Sequence, residues 1–499
     1  MNNFLALFNT SIIRAMKVGN LEPQALWSNF VALNAIPRAS KEEERVIQFM
    51  ESFGNQLGLE TIRDHVGNVV IKKPATAGME DRQTVILQSH LDMVQQKNSD
   101  SDFDFATQGI DMYVDEDWVK ARGTTLGADN GIGVATIMAI LAADDLVHPA
   151  LEALFTIDEE TGMTGAKQLD PSNLSGTILL NLDTEEDDEL TIGCAGGIDT
   201  TTVYKYKQNP VAQNSIAFKV SIKGLLGGHS GMDIHKGRAN ANKLMNRLLY
   251  NGNKVLDLQL GSFEGGSLRN AIPREASAVV AVAGDQKAAF LSFIADFSEV
   301  IKAEYQSIEP ALNISAIETE LPAEVLDKQD YHKIINALYA VPNGVFRMSP
   351  DIPDLVEASS NLAKIIIKDG EFITLSLQRS SVESTKEDVA IAVGAALENM
   401  GSTVTTSGDY PGWKPDADSE ILSLMSKLYK VSFNAEPNVN ACHAGLECGI
   451  LGAHLPGMDM ISFGPTIHGA HSPDERVQIS SVYKFWHFLL NVLEEIPAR

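Results

Sequence analysis

The sequence predicts an α/β domain with a mostly parallel sheet flanked by helices, interrupted by a second, α+β domain with an open sheet. Three observations predict it. Short apolar runs alternate with helical patterns in the first part of the chain, the periodicity changes after Gly196-Gly197, and the first texture returns after Tyr410-Pro411-Gly412-Trp413. At 499 residues the chain is also too long for one ordinary core. The resulting division is 1–197 and 410–499 for the two parts of the first domain and 198–409 for the second.

Taken in order, residues from about Glu22 to Gly58 read as helix. Ser40, with acids from Glu42 to Glu44 before an apolar-periodic IQFMESFG, reads as a helix start. Thr84–Gln88 (TVILQ), Leu151–Thr156 (LEALFT) and Thr177–Leu182 (TILLNL) are apolar runs of the length and content of buried strands. Ile132–Ala142 between the first two suits a packed helix, and this alternation implies a layered, largely parallel sheet. In the second domain Ser215–Ile222 (SIAFKVSI) alternates strictly, as a half-exposed strand does. A helix over Ala239–Tyr250 and a strand over Ala276–Ala283 follow. A second round of the pattern comes with Phe372–Gln378 and a helix over Lys386–Met400.

Composition narrows the function. Lys+Arg 39 against Asp+Glu 66 gives a net charge of −27, a surface that repels nucleic acid and anionic lipid, so neither is expected as a partner. Cys194, Cys442 and Cys448 contain no CxxC pair, which argues against a disulfide scaffold and fits a reducing cytoplasm. No apolar run reaches membrane-span length. The stretch Met1–Val18 carries Arg14 and Lys17 after its apolar part, the wrong order for a secretory signal, and reads as a short extension or as sequence ahead of a start at Met16.

The acids and histidines carry the chemistry. TVILQ runs into Ser89-His90-Leu91-Asp92, LEALFT into Asp158-Glu159-Glu160, and TILLNL into Asp183-Thr184-Glu185-Glu186. Ligands of open α/β sheets bind beyond the carboxyl ends of the strands, so neighbouring strands ending this way gather a histidine and several carboxylates. Asp129 adds a carboxylate at the glycine-rich turn GADNG, and His471 a second imidazole in GAHSPDE. One strand-end Asp is ordinarily a turn residue or cap. The set is different, because so many carboxylates repel unless cations join them. Mixed His and carboxylate ligands suit zinc, with Mn²⁺ or Co²⁺ as substitutes, and a shared carboxylate suits two ions about 3.5–4 Å apart.

The strings SHLDMV, GTTLGADNGIG, DEETGMTGA, LLNLDTEE, GCAGGID, GGHSG, LRNAIPREA, HAGLECG and GPTIHGAHSPDE resemble the aminoacyl-histidine (Xaa-His) dipeptidases. These belong to the zinc peptidases of the carboxypeptidase G2/aminoacylase type. The likeness runs from about Leu21 to Arg499. It implies a metallopeptidase catalytic domain interrupted by a lid domain, two Zn²⁺ per subunit, a small dipeptide substrate and a homodimer. It also implies roles. His90 and Asp183 bind one ion, Glu160 and His471 the other, and Asp129 bridges them. Asp92 fixes the His90 tautomer, as second-layer carboxylates do for ligating histidines. Glu159 is the general base for a metal-bridging water, His229 stabilises the oxyanion (often from the partner subunit), and Asn270, Arg379 and Gly445 bind substrate. A planar guanidinium suits a substrate carboxylate.

Other signals are weaker. GHSGM breaks the GxSxG elbow at Met232, and no HExxH, GxxxxGK[ST] or dinucleotide fingerprint occurs. His443 and Glu447 have the i, i+4 spacing of a helical metal pair, a resemblance to be discounted. His468 competes with His471, and the family pattern favours His471. The expected reaction is hydrolysis of dipeptides, Xaa-His and carnosine-like ones included. The alternatives are a deacylase or aminopeptidase of the same group, and a non-catalytic binding protein on the same fold.

Overall fold

The computed structural model describes residues 17–499, so the opening stretch up to Met16, with the alternative start there, lies outside the described residues. The chain forms two compact units. Among the described residues, one holds those up to Gly193, Pro415–Ala441 and Glu447–Arg499; the other holds Cys194–Lys414 and Cys442–Leu446.

The first unit is an α/β layer structure. Its eight-stranded sheet runs, edge to edge, Glu60–Arg63, Val69–Lys73, Leu151–Thr156, Val85–His90, Ile178–Asn181, Asp459–Ser462, Glu189–Cys194 and Asn438–Cys442. The four strands from Leu151–Thr156 to Asp459–Ser462 are parallel; Glu60–Arg63, Val69–Lys73 and Glu189–Cys194 pair antiparallel. The sheet is therefore parallel at its centre and antiparallel at its flanks, more mixed than the sequence suggested. Every residue of Val85–His90, Leu151–Thr156 and Ile178–Asn181 is buried, which explains their unbroken apolar character. Register matters most for function: His90 pairs with Thr156 and Gln88 with Asn181, so the three strands end nearly level. The helix Ala128–Ala142 is apolar around its whole circumference and almost wholly buried.

The helical stretch read from about Glu22 to Gly58 forms two helices, Gln24–Asn34 and Glu44–Gln56. Pro37 lies in the break, since a proline disfavours the helical conformation of its predecessor. Ser40 does not cap the second helix: its hydroxyl donates to Asp92 Oδ2 at 2.7 Å.

The second unit contains a nine-stranded antiparallel sheet, eight strands of which form two copies of one β-α-β-β-α-β pattern while the ninth, Gly344–Met348, pairs with Val356–Lys368. The first copy is Ser215–Lys223, helix Ala241–Leu256, Gln259–Gly266, Ala276–Ala283, helix Lys287–Tyr305 and Asn313–Thr319. The second is Gly196–Lys205, helix Lys328–Ala340, Val356–Lys368, Glu371–Ser380, helix Glu383–Glu398 and Thr403–Tyr410. Numbering strands within each copy, the sheet order is 4-1-3-2 followed by 2-3-1-4. The copies join antiparallel, with Phe263 opposite Ile367 and Gly266 opposite Lys364. The first copy is inserted between the first strand and first helix of the second. One apolar core, including Phe218, Phe263, Phe290 and Phe372, lies between sheet and helices. Among the described residues no helix is long and apolar enough to cross a membrane.

Candidate metal centre

The level ends of three parallel strands bring the acids and imidazoles of the first unit together. His90 closes its strand, Glu159 and Glu160 follow the turn after Leu151–Thr156, and Asp183 follows Ile178–Asn181. Asp129 comes from the start of the helix Ala128–Ala142, where its backbone is non-helical (φ −79°, ψ 107°) and its peptide bond to Asn130 is cis. His471 arrives from the distant loop before the last helix.

The geometry divides into two donor sets that share Asp129. His90 Nε2 lies 3.2 Å from Asp129 Oδ1 and 3.5 Å from Asp183 Oδ1. His471 Nε2 lies 3.1 Å from Asp129 Oδ2 and 3.0 Å from Glu160 Oε2. Each oxygen of Asp129 thus faces a different imidazole. Ligands bound at about 2.0–2.1 Å to one tetrahedral ion stand roughly 3.3 Å apart, close to the separations in both sets. Glu160 Oε1 and Asp183 Oδ1 are buried without a hydrogen-bond partner, an expensive state that a cation relieves. The residues fit metal ions. Glu159 stands close by, within 4.8 Å of atoms on His90 and Glu160.

Asp92 is the knot beneath this cluster. Its Oδ1 accepts from Glu159 N at 3.0 Å, and its Oδ2 from Glu160 N at 3.2 Å and from Ser40. Next to His90 Nδ1 the nearer acceptor is the main-chain carbonyl of Asp92 at 3.1 Å, with the carboxylate at 3.5 Å. Either acceptor keeps the proton on Nδ1 and turns Nε2 toward Asp129 and Asp183.

Charge is crowded here. Burial pushes Asp183 up to about 6, with Asp129 and Glu160 adding to the rise and His90 opposing it. Burial likewise holds Glu159 well above the usual carboxylate range, against the pull of His90 and with help from Asp183, Glu447 and Glu160. Burial works against ionising Asp129 too, but hydrogen bonds from His471 and His90 outweigh it and hold it low. Its own hydrogen bonds to the carboxylates of Asp129 and Glu160 raise His471 to about 11. A site that stores protons this way releases them when a cation takes their place.

Residues that sequence reasoning missed hold the frame. The guanidinium of Arg38 is wholly buried: Nη1 donates to the carbonyls of Leu91 (3.0 Å) and Asp92 (2.9 Å), Nη2 to Gly127 O (2.6 Å) and Asn34 Oδ1 (3.1 Å). Glu475 accepts main-chain N–H groups around Asp129. Buried Glu447 accepts from Gln88 Nε2 at 2.7 Å and Thr156 Oγ1 at 2.6 Å, beneath the clustered acids and imidazoles. No motif marked Arg38. Glu447 drew notice only through its spacing from His443, and that pairing is not made: His443 Nε2 lies 2.7 Å from Ser359 Oγ. His468 stacks near Trp118, with ring centroids 5.1 Å apart, and lies 3.7 Å from Glu186.

The second unit holds His229, Asn270, Arg379 and Gly445. His229 Nδ1 accepts from the main-chain N–H groups of Gly231 (3.2 Å) and Met232 (3.1 Å), which places its proton on Nε2. Burial and then Arg379 press its pKa down to about 4, so at neutral pH it is an uncharged N–H donor. Gly228–His229 pairs with Ala271–Ile272, and Asn270 O accepts from Ser230 N at 2.8 Å, which fixes Asn270 beside His229. Asn361 Nδ2 donates to the carbonyls of Arg269 (2.9 Å) and Ala271 (2.8 Å), on either side of Asn270. Arg379, 5 % exposed, donates from Nη1 to Tyr410 Oη at 2.8 Å and from Nε to Ser230 Oγ at 3.4 Å, so its plane is held.

Residues 86–495 match peptidase family M20/M25/M40. A cytosol non-specific dipeptidase of Escherichia coli (strain K12) is 44% identical over 485 residues, 97% of this chain and 100% of that protein. The crystal structure of an aminoacylhistidine dipeptidase from Vibrio alginolyticus is similar at a TM-score of 0.91 and 44% identity, covering 97% of this chain and 98% of that one. The aminopeptidase PepT from Bacillus cereus shares the fold at a TM-score of 0.56 and 15% identity, over 95% of this chain and 99% of that one.

Proposed function

The chain belongs to peptidase family M20/M25/M40, and from that premise we propose that it is a dinuclear zinc dipeptidase acting on Xaa-His dipeptides, carnosine-like ones included. The observation that carries the dinuclear reading is Asp129, whose two oxygens face separate imidazoles, each with a further carboxylate of its own. The dipeptide reading rests on relatives similar over almost the full length of the chain, one a cytosol non-specific dipeptidase and one an aminoacylhistidine dipeptidase. A cytoplasmic location and a homodimer belong to the same proposal.

His90 and Asp183 would hold one ion, Glu160 and His471 the other, with Asp129 shared between the two sets. The chemistry such ions would supply is polarisation of the scissile carbonyl and a lowering of the pKa of a water from about 15.7 to roughly 7. Glu159 does the proton work. Burial makes its carboxylate an unusually strong base, so it takes a proton from the attacking water and delivers it to the departing amine. Asp92 aims it by holding its main-chain N–H. His229, with its proton on Nε2, offers a donor to the oxyanion that forms as the carbonyl becomes tetrahedral. Arg379, Asn270 and Gly445 bind the dipeptide, the guanidinium taking its terminal carboxylate.

Glu159→Gln tests the assignment. The variant should bind Zn²⁺ as the parent does and lose about 10²–10⁴-fold in kcat. Retained turnover removes Glu159 as the base. Assays on a panel of dipeptides, an acylated amino acid and a tripeptide, with and without chelator, test substrate class: hydrolysis of the acylated amino acid alone would make the protein a deacylase.

A further inference from the structure

We propose that Glu475 is the positioning residue of the bridging carboxylate, locking the turn that presents Asp129 and setting its distance from His471. This rests on the metal reading of the site above.

The first turn of any helix leaves main-chain N–H groups without an intrahelical acceptor. Ahead of Ala128–Ala142 the cap position is Gly127, in the left-handed region at φ 71° and with no capping side chain. Leu126, Ala128 and Gly127 are buried, so water does not meet the need. Glu475, 2 % exposed, meets it from far away in sequence. Its Oε2 accepts from Leu126 N at 2.7 Å and Gly127 N at 2.9 Å. Its Oε1 accepts from Ala128 N at 2.7 Å and Asp129 N at 3.3 Å. An anion on a helix N-terminus also gains from the helix dipole. On the opposite side of the same turn, Arg38 Nη2 holds Gly127 O. The backbone that carries Asp129 is thereby pinned through its donors and through a carbonyl.

The source of the carboxylate gives it a role beyond capping. Glu475 follows His471 in the same loop, whose turn is closed by Ser472 N on Gly469 O at 3.2 Å and Glu475 N on Ser472 O at 3.1 Å. One side chain therefore ties the loop bearing His471 to the turn bearing Asp129, two groups that face each other at 3.1 Å. A metal ion tolerates errors of only about 0.2 Å in its ligands, so slack in this tie is felt as affinity.

The test uses the full chain stripped of metal and titrated with Zn²⁺ against a chromophoric chelator. Glu475→Gln keeps one acceptor oxygen and turns an amide donor toward two N–H groups. Zn²⁺ affinity should fall by about 10–100-fold, the range for outer-shell partners, with KM for a dipeptide unchanged and kcat recovering as Zn²⁺ is raised. Glu475→Asp keeps the charge but falls short of one pair of donors, and should lie between the two; it replaces the glutamine variant if that chain does not fold. Wild-type Zn²⁺ affinity in a folded variant overturns the proposal, and so does a kcat that added Zn²⁺ does not restore. If the parent protein itself binds no Zn²⁺, or Asp129→Asn binds it normally, it is the metal reading that fails.

Discussion

Removing the buried cation beneath the centre should loosen the first unit as a whole. Arg38→Met deletes donors to Leu91 O, Asp92 O, Gly127 O and Asn34 Oδ1 while keeping much of the side chain's length. Burial lowers the guanidinium to about 10, with Glu475, Asp92, Asp129 and Glu160 opposing the fall, so it is charged at neutral pH and part of the local balance. Each buried acceptor left unsatisfied costs about 1–3 kcal/mol, and removing one member of a buried charged network costs about 3–5 kcal/mol in total. At about 2–4 °C per kcal/mol for a unit of this size, Tm should fall by roughly 6–20 °C. Differential scanning calorimetry of the metal-free protein measures it. Arg38→Lys restores the charge but offers a compact ammonium in place of a planar fork, and should recover less than half of the loss. A fall under about 2 °C for Arg38→Met would show that the carbonyls find other donors and that Arg38 staples nothing. Full recovery by lysine would show that charge alone matters.

Asp92→Asn puts an amide donor where Glu159 N, Glu160 N and Ser40 Oγ now find acceptors. At saturating Zn²⁺ its kcat should drop about 10–100-fold, and steady-state kinetics giving the parent's kcat would refute the knot. The second unit should weaken in acid. Burial first and then Arg379 hold His443 down at about 3 and His229 at about 4, while both titrate near 6.5 in the unfolded chain. Between about pH 6.5 and 4 the unfolded chain binds more protons, so stability is present above that window and is lost as pH falls through it. For His443 the loss at pH 5 is about 2 kcal/mol. Urea midpoints measured from pH 7 to 4.5 should fall less steeply in His443→Gln, and parallel curves would refute the assignment.

That these side chains meet was legible because strand ends in a parallel sheet are places where the chain must leave the core, and acids there have few other reasons to cluster. His90, Asp183 and the Glu159-Glu160 pair follow from that one rule, and the apolar runs before them announce the strands. The strand beginning at Ser215 was legible from its strict alternation, a periodicity of two against one buried face. Glu475 and Arg38 were not legible. Their partners are main-chain groups, present at every residue, so nothing in the sequence marks where a distant carboxylate will meet them. Ser40 misled because a hydroxyl before acids reads as a cap, and only the folded chain shows Asp92 nearer to hand. The antiparallel flanks of the first sheet depend on connection geometry, which a run of apolar residues does not encode. Doubling of the β-α-β-β-α-β pattern was half-visible as a second round of strand and helix; inserting one copy inside the other hid its period.

The acids of the first unit sort by what their oxygens already hold. Asp92 and Glu475 have both oxygens engaged by main-chain N–H groups, and Glu43 accepts from Lys41 N and Asp158 N through Oε1. Those bonds favour the ionised form and fix the side chains in place: they hold Asp92 below the usual carboxylate range, while at Glu475 and Glu43 burial outweighs them and carries both above it. Glu160 and Asp183 each keep a buried oxygen with no hydrogen-bond partner, a cost of desolvation that a cation would relieve. The framing carboxylates therefore fix the loops by themselves, and the carboxylates proposed as ligands are left wanting a positive charge in a place already shaped for it. Glu159 stands between the two classes, its backbone bonded to Asp92 and its side chain kept avid for a proton by burial. If that sorting governs function, neutral isosteres of the framing acids should lower metal affinity by displacing ligands, and neutral isosteres of the ligand acids should remove a ligand while the unbound protein becomes more stable. Chemical denaturation of metal-free Asp183→Asn decides the second half: a midpoint above the parent's is expected, and one below it would mean that Asp183 serves the fold before it serves an ion.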